Sequence, residues 1–312
     1  MKFPVLTEEK LISRLNYPKN KIRAVMDTDT YNETDDQFAV VYALESSDKI
    51  EIEAFYAAPF HNELSSSPKD GMEKSYDELQ KILKMQNKDS FPIYKGSDRY
   101  LSEDNNPVDS DAARDLVERA LNSPDDDPLY VIAIGAITNI ASAILMEPKI
   151  IEKIVVIWLG GHALHWSNTK EFNLFQDLYS SRTILDSGVP LVLIPCEGVT
   201  SHLTTTSSEL RDNIKNSGEI GNYLYETFER YRNDKLGNDD NSSIAYSKVI
   251  WDLAPIGFLN NKNWTPSYLT HSPILSEDFR WSFDSNRHFI RYVYNVKRDE
   301  IFGDMFSKLT LK

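Results

Sequence analysis

The 312-residue chain is 41% apolar and 26% charged, and its formal net charge is −14. This composition is typical of a globular protein, and the length allows one large or two ordinary domains with an ample core. The negative charge disfavours nucleic acid and anionic membranes as partners. No apolar run approaches the ~20 residues that cross a bilayer, so no membrane span is expected.

Two features of the sequence indicate the cellular compartment in which the protein is expected. The first ten residues lack the apolar core of a signal peptide. Cys196 is the only cysteine, so an internal disulfide is excluded. Both features are typical of the reducing cytosol, and they predict a cytoplasmic protein.

Apolar runs and helical spacings alternate along the chain. Strands are predicted at 22–26, 51–58, 91–94, 129–134, 154–159 and 191–194. Helices are predicted at 8–15, 35–46, 72–85, 111–121, 139–146 and 177–187. From about residue 206 the chain is predicted to be mainly helical to 258, with a polar interruption at 233–243. A strand at 288–296 and a short final helix complete the pattern.

The alternation of strand and helix predicts the fold class. The six strands are mostly apolar, which is typical of strands that are buried on both sides. The chain is therefore predicted to be α/β, with a mainly parallel, doubly wound open sheet and helices on both faces. No linker rich in proline or glycine separates two compositions. We therefore expect a single domain over residues 1–312, with a mainly helical C-terminal portion from about 206.

Four aspartates follow the first predicted strand, at positions 27, 29, 35 and 36. Carboxylates at this density repel one another unless a positive charge lies between them. A hard divalent cation would serve, because its ligands are oxygen atoms. The alternative is helix capping by Thr34, with Asp35 and Asp36 in the first turn. Capping accounts for the second pair and leaves Asp27 and Asp29 unexplained.

Other polar clusters also follow predicted strands. They are His61 and Asn62 after the second strand, Thr138 and Asn139 after the fourth, and 162–173 after the fifth. Ligands of doubly wound sheets bind beyond the carboxyl ends of the strands. The coincidence of these clusters with strand ends predicts one functional site at that edge of the sheet.

Taken together, the motifs resemble those of the nucleoside hydrolase family of the inosine-uridine-preferring type. They are Asp27-Thr28-Asp29, Asp35-Asp36, Gly135-Ala136-Ile137-Thr138-Asn139, Gly160-Gly161, Glu171-Phe172-Asn173, Asp177, Ser187-Gly188-Val189-Pro190 and Trp251-Asp252. The similarity runs from about residue 22 to 258. Each motif alone is weakly specific, whereas their order and placement together are fairly specific.

The resemblance implies an activity and a role for individual residues. The activity is Ca2+-dependent hydrolysis of the N-glycosidic bond of a ribonucleoside or related small riboside, giving ribose and free base. Ca2+ is expected on Asp29, Asp36, Asp252 and the carbonyl of Thr138, and Asp29 is also the expected general base. The residues expected to contact substrate are Asp35, Asn62, His165, Glu171, Asn173, Trp251 and Asp252. A homo-oligomer, either a dimer or a tetramer, is also implied.

The sequence departs from the family pattern at three places. Five residues, rather than three, separate Asp29 from Asp35, so this loop must bulge. Trp251 replaces the histidine that often protonates a purine leaving group, and indole has no acidic proton near neutral pH. His165 stands where asparagine is usual, and it is the nearest substitute acid in the sequence. Weak activity on inosine and adenosine is therefore expected, with better activity on acidic leaving groups.

Two other functions are compatible with parts of the pattern. A haloacid dehalogenase-type phosphatase also begins with Asp-x-Asp, but it needs a later acidic motif that Gly160-Gly161-His162 does not offer. A non-catalytic module that binds Ca2+ and sugar is suggested by the lost histidine and disfavoured by the complete carboxylate set. His162 and His165 are spaced like zinc ligands, yet no suitably spaced partner accompanies them.

Overall fold

The computed structural model describes residues 3–236 and 245–310 of the chain. The strands are β1 Ile22–Thr28, β2 Ile50–Ala57, β3 Ile93–Lys95, β4 Leu129–Ala133, β5 Ile154–Leu159, β6 Leu191–Ile194, β7 Thr204–Thr205, β8 Lys248–Val249, β9 Ser267–His271, β10 Ile274–Leu275, β11 Trp281–Ser282 and β12 Phe289–Val293. The helices are α1 Glu8–Leu15, α2 Asp35–Glu45, α3 Pro68–Met85, α4 Asp111–Asn122, α5 Thr138–Met146, α6 Phe172–Gln176, α7 Leu178–Asp186, α8 Ser207–Asn213, α9 Gly218–Leu236, α10 Leu253–Asn260 and α11 Arg298–Thr310. Short 3-10 helices occupy Pro148–Glu152 and Thr200–His202.

Eight strands form the central sheet in the order β3-β2-β1-β4-β5-β6-β12-β9. Every neighbouring pair is parallel except β12 and β9, which are antiparallel. The predicted α/β class with a mainly parallel sheet is therefore confirmed. β9 was not predicted, because its residues are only partly buried and lack a continuous apolar run.

Alternate residues of the central strands supply two separate hydrophobic cores, one on each side of the sheet. Ala24 and Met26 belong to the core that also contains apolar residues of α2, α3, α10 and α11. Val25 belongs to the other core, which contains residues of α4, α5 and α7. Helices therefore cover both faces, as the doubly wound pattern requires.

The predicted element boundaries agree closely with the observed ones up to β6. The largest difference is α3, which begins at Pro68 rather than at residue 72. Ser67 caps this helix by accepting a hydrogen bond from Asp70 N at 3.2 Å, and Pro68 suits the first helical turn. The predicted polar interruption at 233–243 lies in part outside the described residues, which resume at 245.

The strand order reverses at β1, which has β2 on one side and β4 on the other. Such a switch point opens a crevice at the carboxyl ends of the two strands that flank it. Ile134 N donates a hydrogen bond to the Asp27 carbonyl at 2.9 Å, so the ends of β1 and β4 lie side by side. The residues that follow β1 and β4 are thereby brought to one crevice.

No helix in the described part of the chain is long and apolar enough to cross a membrane. The longest described helix, α9, carries several charged side chains, among them Glu219, Glu226 and Arg230.

Candidate active site

The end of β1 and the start of α2 bury four aspartates in one place. Asp27 and Asp29 are fully buried, and Asp35 and Asp36 are 3% and 1% exposed. Thr34 precedes α2, yet its side chain makes no capping hydrogen bond, and its buried Oγ1 has no partner among the described residues. Capping therefore does not explain this cluster.

Asp35, Asp36 and Asp252 offer carboxylate oxygens that all lie within 4.8 Å of one another. Asp252 immediately precedes α10 and is buried, so the cluster joins two segments that are far apart in the sequence. Trp251 N donates to Asp35 Oδ2 at 3.2 Å, and Thr28 Oγ1 donates to Asp36 Oδ1 at 2.5 Å. These few donors leave most of the carboxylate oxygens free to bind a cation.

Asp29 is not one of these three grouped carboxylates, although the charges of Asp36 and Asp35 raise its pKa. Both of its carboxylate oxygens are buried, and neither has a hydrogen-bond partner among the described residues. Gly135 lies against it, and a Cβ added at this position would come within 3.0 Å of Asp29 Oδ1. A buried carboxylate without a donor is costly, so its chemistry suits a bound cation or a proton.

Burial and mutual repulsion raise the pKa of every aspartate in this cluster. Burial is the main cause for Asp29, Asp36 and Asp252, and neighbouring carboxylates raise each pKa further, Asp36 acting on Asp29 and Asp35 acting on Asp36 and Asp252. The pKa of Asp35 rises to about 7, through burial and then through Glu33. A bound divalent cation would reverse this effect and favour the ionised forms.

Asp27 has a structural role that differs from that of its neighbours. Asn139 Nδ2 donates to Asp27 Oδ1 at 2.7 Å, and Asn139 Oδ1 accepts from Ser97 N at 2.7 Å. Burial raises the pKa of Asp27 to about 7, and the bond from Asn139 lowers it. The Thr-Asn motif therefore fixes the end of β1 through this side-chain amide.

Glu171 and Asn173 form the opposite wall of the crevice. Glu171 accepts hydrogen bonds from the backbone N–H groups of Gly161 at 2.8 Å, Asn173 at 2.9 Å and Leu174 at 3.1 Å. Burial raises the pKa of Glu171, and these three bonds lower it. Asn173 Nδ2 donates to the carbonyls of Ile134 and Leu159, so the wall is tied to the ends of β4 and β5.

The loop that connects Asp29 to Asp35 bulges and is held from two sides. Asn62 Nδ2 donates to Asn32 Oδ1 at 2.7 Å. Glu33 Oε1 accepts from Tyr231 Oη at 2.7 Å and from Lys248 Nζ at 2.6 Å. The Lys248 side chain is only 6% exposed, so this ion pair is largely shielded from water. The two additional residues of the loop thus do not separate Asp29 from the cluster.

A cavity of about 790 Å³ opens above these residues. We call it the aspartate cavity. Of the residues predicted to form the site, those that line it are Asp35, Asp36, Asn62, Glu171, Asn173, Trp251 and Asp252. Among the described residues, Asp29, Thr138 and His165 are not in its lining. Asp29 is close enough to Asp36 for the two carboxylates to repel each other, and this repulsion raises the pKa of Asp29.

The structure does not bring Thr138 and His165 into the aspartate cavity. Thr138 begins α5, and its Oγ1 donates to Asp177 Oδ2 at 2.7 Å. His165 is exposed, because the loop turns at Trp166, whose N donates to the Ala163 carbonyl, and the two rings meet edge to face. Ile134, which ends the run after β4, lines the cavity in place of Thr138.

The sequence analysis did not assign roles to several residues of the aspartate cavity. Ile134, Glu33 and His162 are in its lining, together with Arg230 and Tyr231 of α9. A backbone carbonyl such as that of Ile134 leaves no signal in the side-chain pattern. The partners of α9 could not be identified either, because contact across the crevice depends on tertiary packing.

The arrangement defines a class of protein: a hydrolase-like α/β fold with buried carboxylates at the switch point of its sheet. The model of the inosine-uridine preferring nucleoside hydrolase family matches residues 24–269, which is more than half of the chain. The chain therefore belongs to this family. Membership also excludes the haloacid dehalogenase-type phosphatase that the Asp-x-Asp motif alone allowed.

Among curated proteins, the chain is similar to the pyrimidine-specific ribonucleoside hydrolase RihB of Escherichia coli. The two are 32% identical over 139 residues, which cover 44% of this chain and 43% of RihB. The chain is also similar to the pyrimidine-specific hydrolase RihA of Klebsiella pneumoniae, at 27% identity over 49% of this chain and 50% of RihA. It thus spans about half the length of the curated relatives it matches.

Solved structures resemble the whole fold. A purine-preferring ribonucleoside hydrolase from Gardnerella vaginalis superposes with a TM-score of 0.74 at 17% identity, covering 92% of this chain and 98% of that one. At such identity the likeness supports the fold alone. It agrees with the eight-stranded, mainly parallel sheet described above.

Proposed function

We propose that this protein hydrolyses the N-glycosidic bond of a ribonucleoside or a related riboside, releasing ribose and the free base. One observation carries the proposal. Asp29 is buried, both of its oxygens lack partners among the described residues, and its carboxylate is close enough to those of Asp36 and Asp35, which line a large cavity, for their charges to raise its pKa. A carboxylate in this state is poised to hold a cation and to accept a proton from water.

We propose Ca2+ as the cofactor, held by Asp29, Asp36 and Asp252. Oxygen-only donors on several segments suit a hard cation of this size. A backbone carbonyl would complete the set. Thr138 was expected to supply it, but Ile134 is better placed because it lines the aspartate cavity. When bound, Ca2+ would lower the pKa of a water molecule and hold the sugar diol.

In this proposal Asp29 is the general base. Its raised pKa falls when a cation neutralises the surrounding charge, so that it can accept a proton from water near neutral pH. Positioned proton transfer of this kind contributes roughly 10²–10⁴ in rate. The glycosidic bond breaks through an oxocarbenium-like sugar, and the anionic Asp35 and Glu171 would stabilise the positive charge that develops there.

The ribose hydroxyl groups would be held by Asp35, Asn62, Glu171, Asn173 and Asp252, all of which line the aspartate cavity. The geometry of Glu171 supports this role. Three backbone N–H groups fix its carboxylate, so the side chain loses little conformational entropy when it accepts a hydrogen bond from a hydroxyl group.

The leaving group would be bound on the other side of the cavity, near Trp251, Tyr231 and His162. Trp251 can stack on a departing base but cannot protonate it. His165 is not placed to act as a substitute acid, because it is exposed and outside the cavity lining. We therefore propose that acidic leaving groups are cleaved well and that inosine and adenosine are cleaved slowly.

A panel of ribosides tests the proposal. The expected result is release of ribose, measured as reducing sugar, from p-nitrophenyl riboside and more slowly from inosine, adenosine and uridine. The His165→Ala protein should retain the wild-type profile. If no riboside releases sugar under conditions in which the protein binds Ca2+, the non-catalytic Ca2+ and sugar-binding module becomes the better account.

Two further expectations belong to the proposal. We propose a homo-oligomer, a dimer or a tetramer, and a cytoplasmic location. Sedimentation velocity at micromolar concentration tests the first, and a single species with the mass of one chain, 35.8 kDa, would contradict it. Fractionation of the source cells tests the second.

A further inference from the structure

A second cavity, of about 630 Å³, lies at the β9–β12 edge of the sheet. We call it the edge cavity. Its walls come from the residues after α1, from the end of α10 and from β9 and β12, represented by Tyr17, Phe258, Ser267 and Arg291. It shares no lining residue with the aspartate cavity. Nothing in the proposed hydrolysis uses it.

The charge of the edge cavity is opposite to that of the protein. The chain as a whole carries −14, whereas the cavity is lined by Lys262, Arg291 and Lys297 and by no acidic side chain among the described residues. None of these three cations forms an ion pair with a described residue, although most other arginines of the chain do. Three unpaired cations around one space make a local anion-attracting field.

Arg291 is the central residue of this cavity. Its Nε donates to the Leu15 carbonyl, and its Nη1 donates to Ser267 Oγ at 3.2 Å. These two bonds fix the plane of the guanidinium group, and three of its five N–H groups have no described partner. Burial lowers the pKa of Arg291, since no carboxylate compensates the loss of water. An anion that enters the cavity would meet a donor fork that is already oriented.

Aromatic rings lie beside the cations. Tyr17 is fixed by its hydroxyl group, which donates to the Leu259 carbonyl at 2.7 Å, and its ring meets Phe258 edge to face at 5.8 Å. Tyr294 is also in the lining and is 50% exposed, although its ring packs against Tyr268 at 5.7 Å. A planar group attached to an anion could stack there.

We propose that the edge cavity binds a phosphate group, carried either by inorganic phosphate or by a nucleoside monophosphate. A fixed guanidinium fork matches phosphate oxygens in a bidentate manner, and two lysines complement the second negative charge. The neighbouring rings would favour the nucleotide, whose base can stack on Tyr294. This inference does not depend on the proposed hydrolysis.

Isothermal titration calorimetry with inorganic phosphate, adenosine monophosphate and uncharged adenosine tests the proposal. The full-length wild type is compared with Lys262→Gln/Lys297→Gln, which removes two exposed cations, and with Arg291→Gln. Lys69→Gln/Lys149→Gln is the matched control, because these exposed lysines lie outside both cavities. The double lysine variant keeps the test valid if Arg291→Gln fails to fold, since Arg291 also holds Leu15.

We expect the phosphate-bearing ligands to bind and to lose at least tenfold in affinity in the double lysine variant, with the control unchanged. Equal affinity for the two ligands would identify phosphate itself as the occupant. Tenfold tighter binding of the nucleotide, lost in Tyr294→Ser, would identify the nucleotide. Binding that is absent at millimolar concentration, or unaffected by the variants, would overturn the proposal. So would self-association that phosphate does not alter and the lysine substitutions abolish, since the cavity would then be an interface.

Discussion

At the scale of single residues, the cation-ligand role proposed for Asp36 conflicts with the stability of the metal-free protein. It is buried beside three other carboxylates, and its only described side-chain donor is Thr28. Asp36→Asn should therefore stabilise the metal-free protein at pH 8 by about 1 kcal/mol or more, because it removes one buried charge and leaves an oxygen for Thr28. Thermal unfolding in the presence of a chelator measures this effect.

Added Ca2+ should make the wild type more stable than Asp36→Asn, because the wild type gains a ligand that binds only its folded state. Asp126→Asn, a substitution on an exposed turn, serves as the control and should behave as the wild type does. An Asp36→Asn protein that is less stable than the wild type in chelator would indicate that Asp36 contributes an unrecognised native contact.

Lys248 holds the bulged loop through Glu33. Lys248→Met should reduce the free energy of unfolding by about 3 kcal/mol, because it leaves Glu33 and the nearby Asp35 without a cation. Glu33→Gln should cost about 1 kcal/mol, as expected for a lost charged hydrogen bond. In urea unfolding, the double variant should be less destabilised than the sum of the two single variants. Additive losses would show that the pair is not coupled.

Most of the site residues that the sequence pattern itself indicated are polar side chains at the ends of apolar strands, whereas Trp251 and Asp252 were indicated only by the family resemblance. Asp35, Asp36 and Glu171 could be predicted because such positions converge at a switch point. Lys248 and the Ile134 carbonyl could not. The first comes from a two-residue strand after a segment of α-helix, and its partner lies 215 positions away. The second is a backbone atom, and every residue carries one.

At the scale of elements, the β10–β11 hairpin supports the loop that carries Glu171. Phe279 has a positive φ of 56°, which is unfavourable for a bulky residue. In this conformation its carbonyl accepts from Thr169 N at 2.7 Å. Its ring also meets Phe175 edge to face. The strained residue Phe279 thus lies where the hairpin contacts the loop that forms one wall of the aspartate cavity.

Because of the strain at Phe279, the usual order of stability between an alanine variant and a glycine variant should be reversed at this position. Both Phe279→Ala and Phe279→Gly lose the ring, but glycine adopts a positive φ without cost. Phe279→Gly should therefore be the more stable variant by about 1 kcal/mol in urea unfolding. Elsewhere in a folded chain, alanine is normally the more stable of the two. A more stable Phe279→Ala protein would show that the left-handed conformation is not maintained in solution.

His288 at the entry to β12 predicts a dependence of stability on pH. Burial, and then Arg287, lower its pKa from 6.5 to about 4. Between pH 6.5 and 4 the unfolded chain binds a proton that the folded protein does not, so this contribution to stability is lost as the pH falls. The slope is at most about 1.4 kcal/mol per pH unit. As the pH falls across this interval, the free energy of unfolding of the wild type should therefore decrease relative to that of His288→Gln.

Urea unfolding at several pH values measures the effect of His288. Asn122→Gln, at an exposed position without an ionisable side chain, is the control and should keep a constant difference in stability from the wild type. A constant difference for His288→Gln as well would contradict the shifted pKa. The comparison with variants is necessary because the acidic side chains titrate in the same interval.

The elements most accurately predicted were buried strands and amphipathic helices, since their periodicity is set by local burial. β5 and β6 were predicted with their observed limits. β9 and the β10–β11 hairpin were missed because edge positions and short bridges depend on a neighbouring strand that the local sequence does not specify. The contacts by which Phe279 supports the loop that carries Glu171 therefore could not be predicted either.

At the scale of the whole molecule, the proposed cation site would couple folding to cation binding. Several of these groups are concentrated at the switch point of the sheet, where burial gives them raised pKa values. A cation at this point would stabilise the entire fold by about 2.7 kcal/mol at a concentration one hundred times its Kd. Cation binding at one site would then connect the family membership, the fold and the carboxylate cluster.

The most direct test of the central claim is the release of ribose and base by chelator-treated protein during titration with Ca2+. The account predicts equimolar products that appear only after Ca2+ is added, and loss of turnover in Asp29→Asn while the circular dichroism spectrum is retained. Activity that survives chelation would contradict the metal. Asp29→Asn activity within tenfold of the wild type, a difference of about 1.4 kcal/mol in barrier, would place the general base elsewhere.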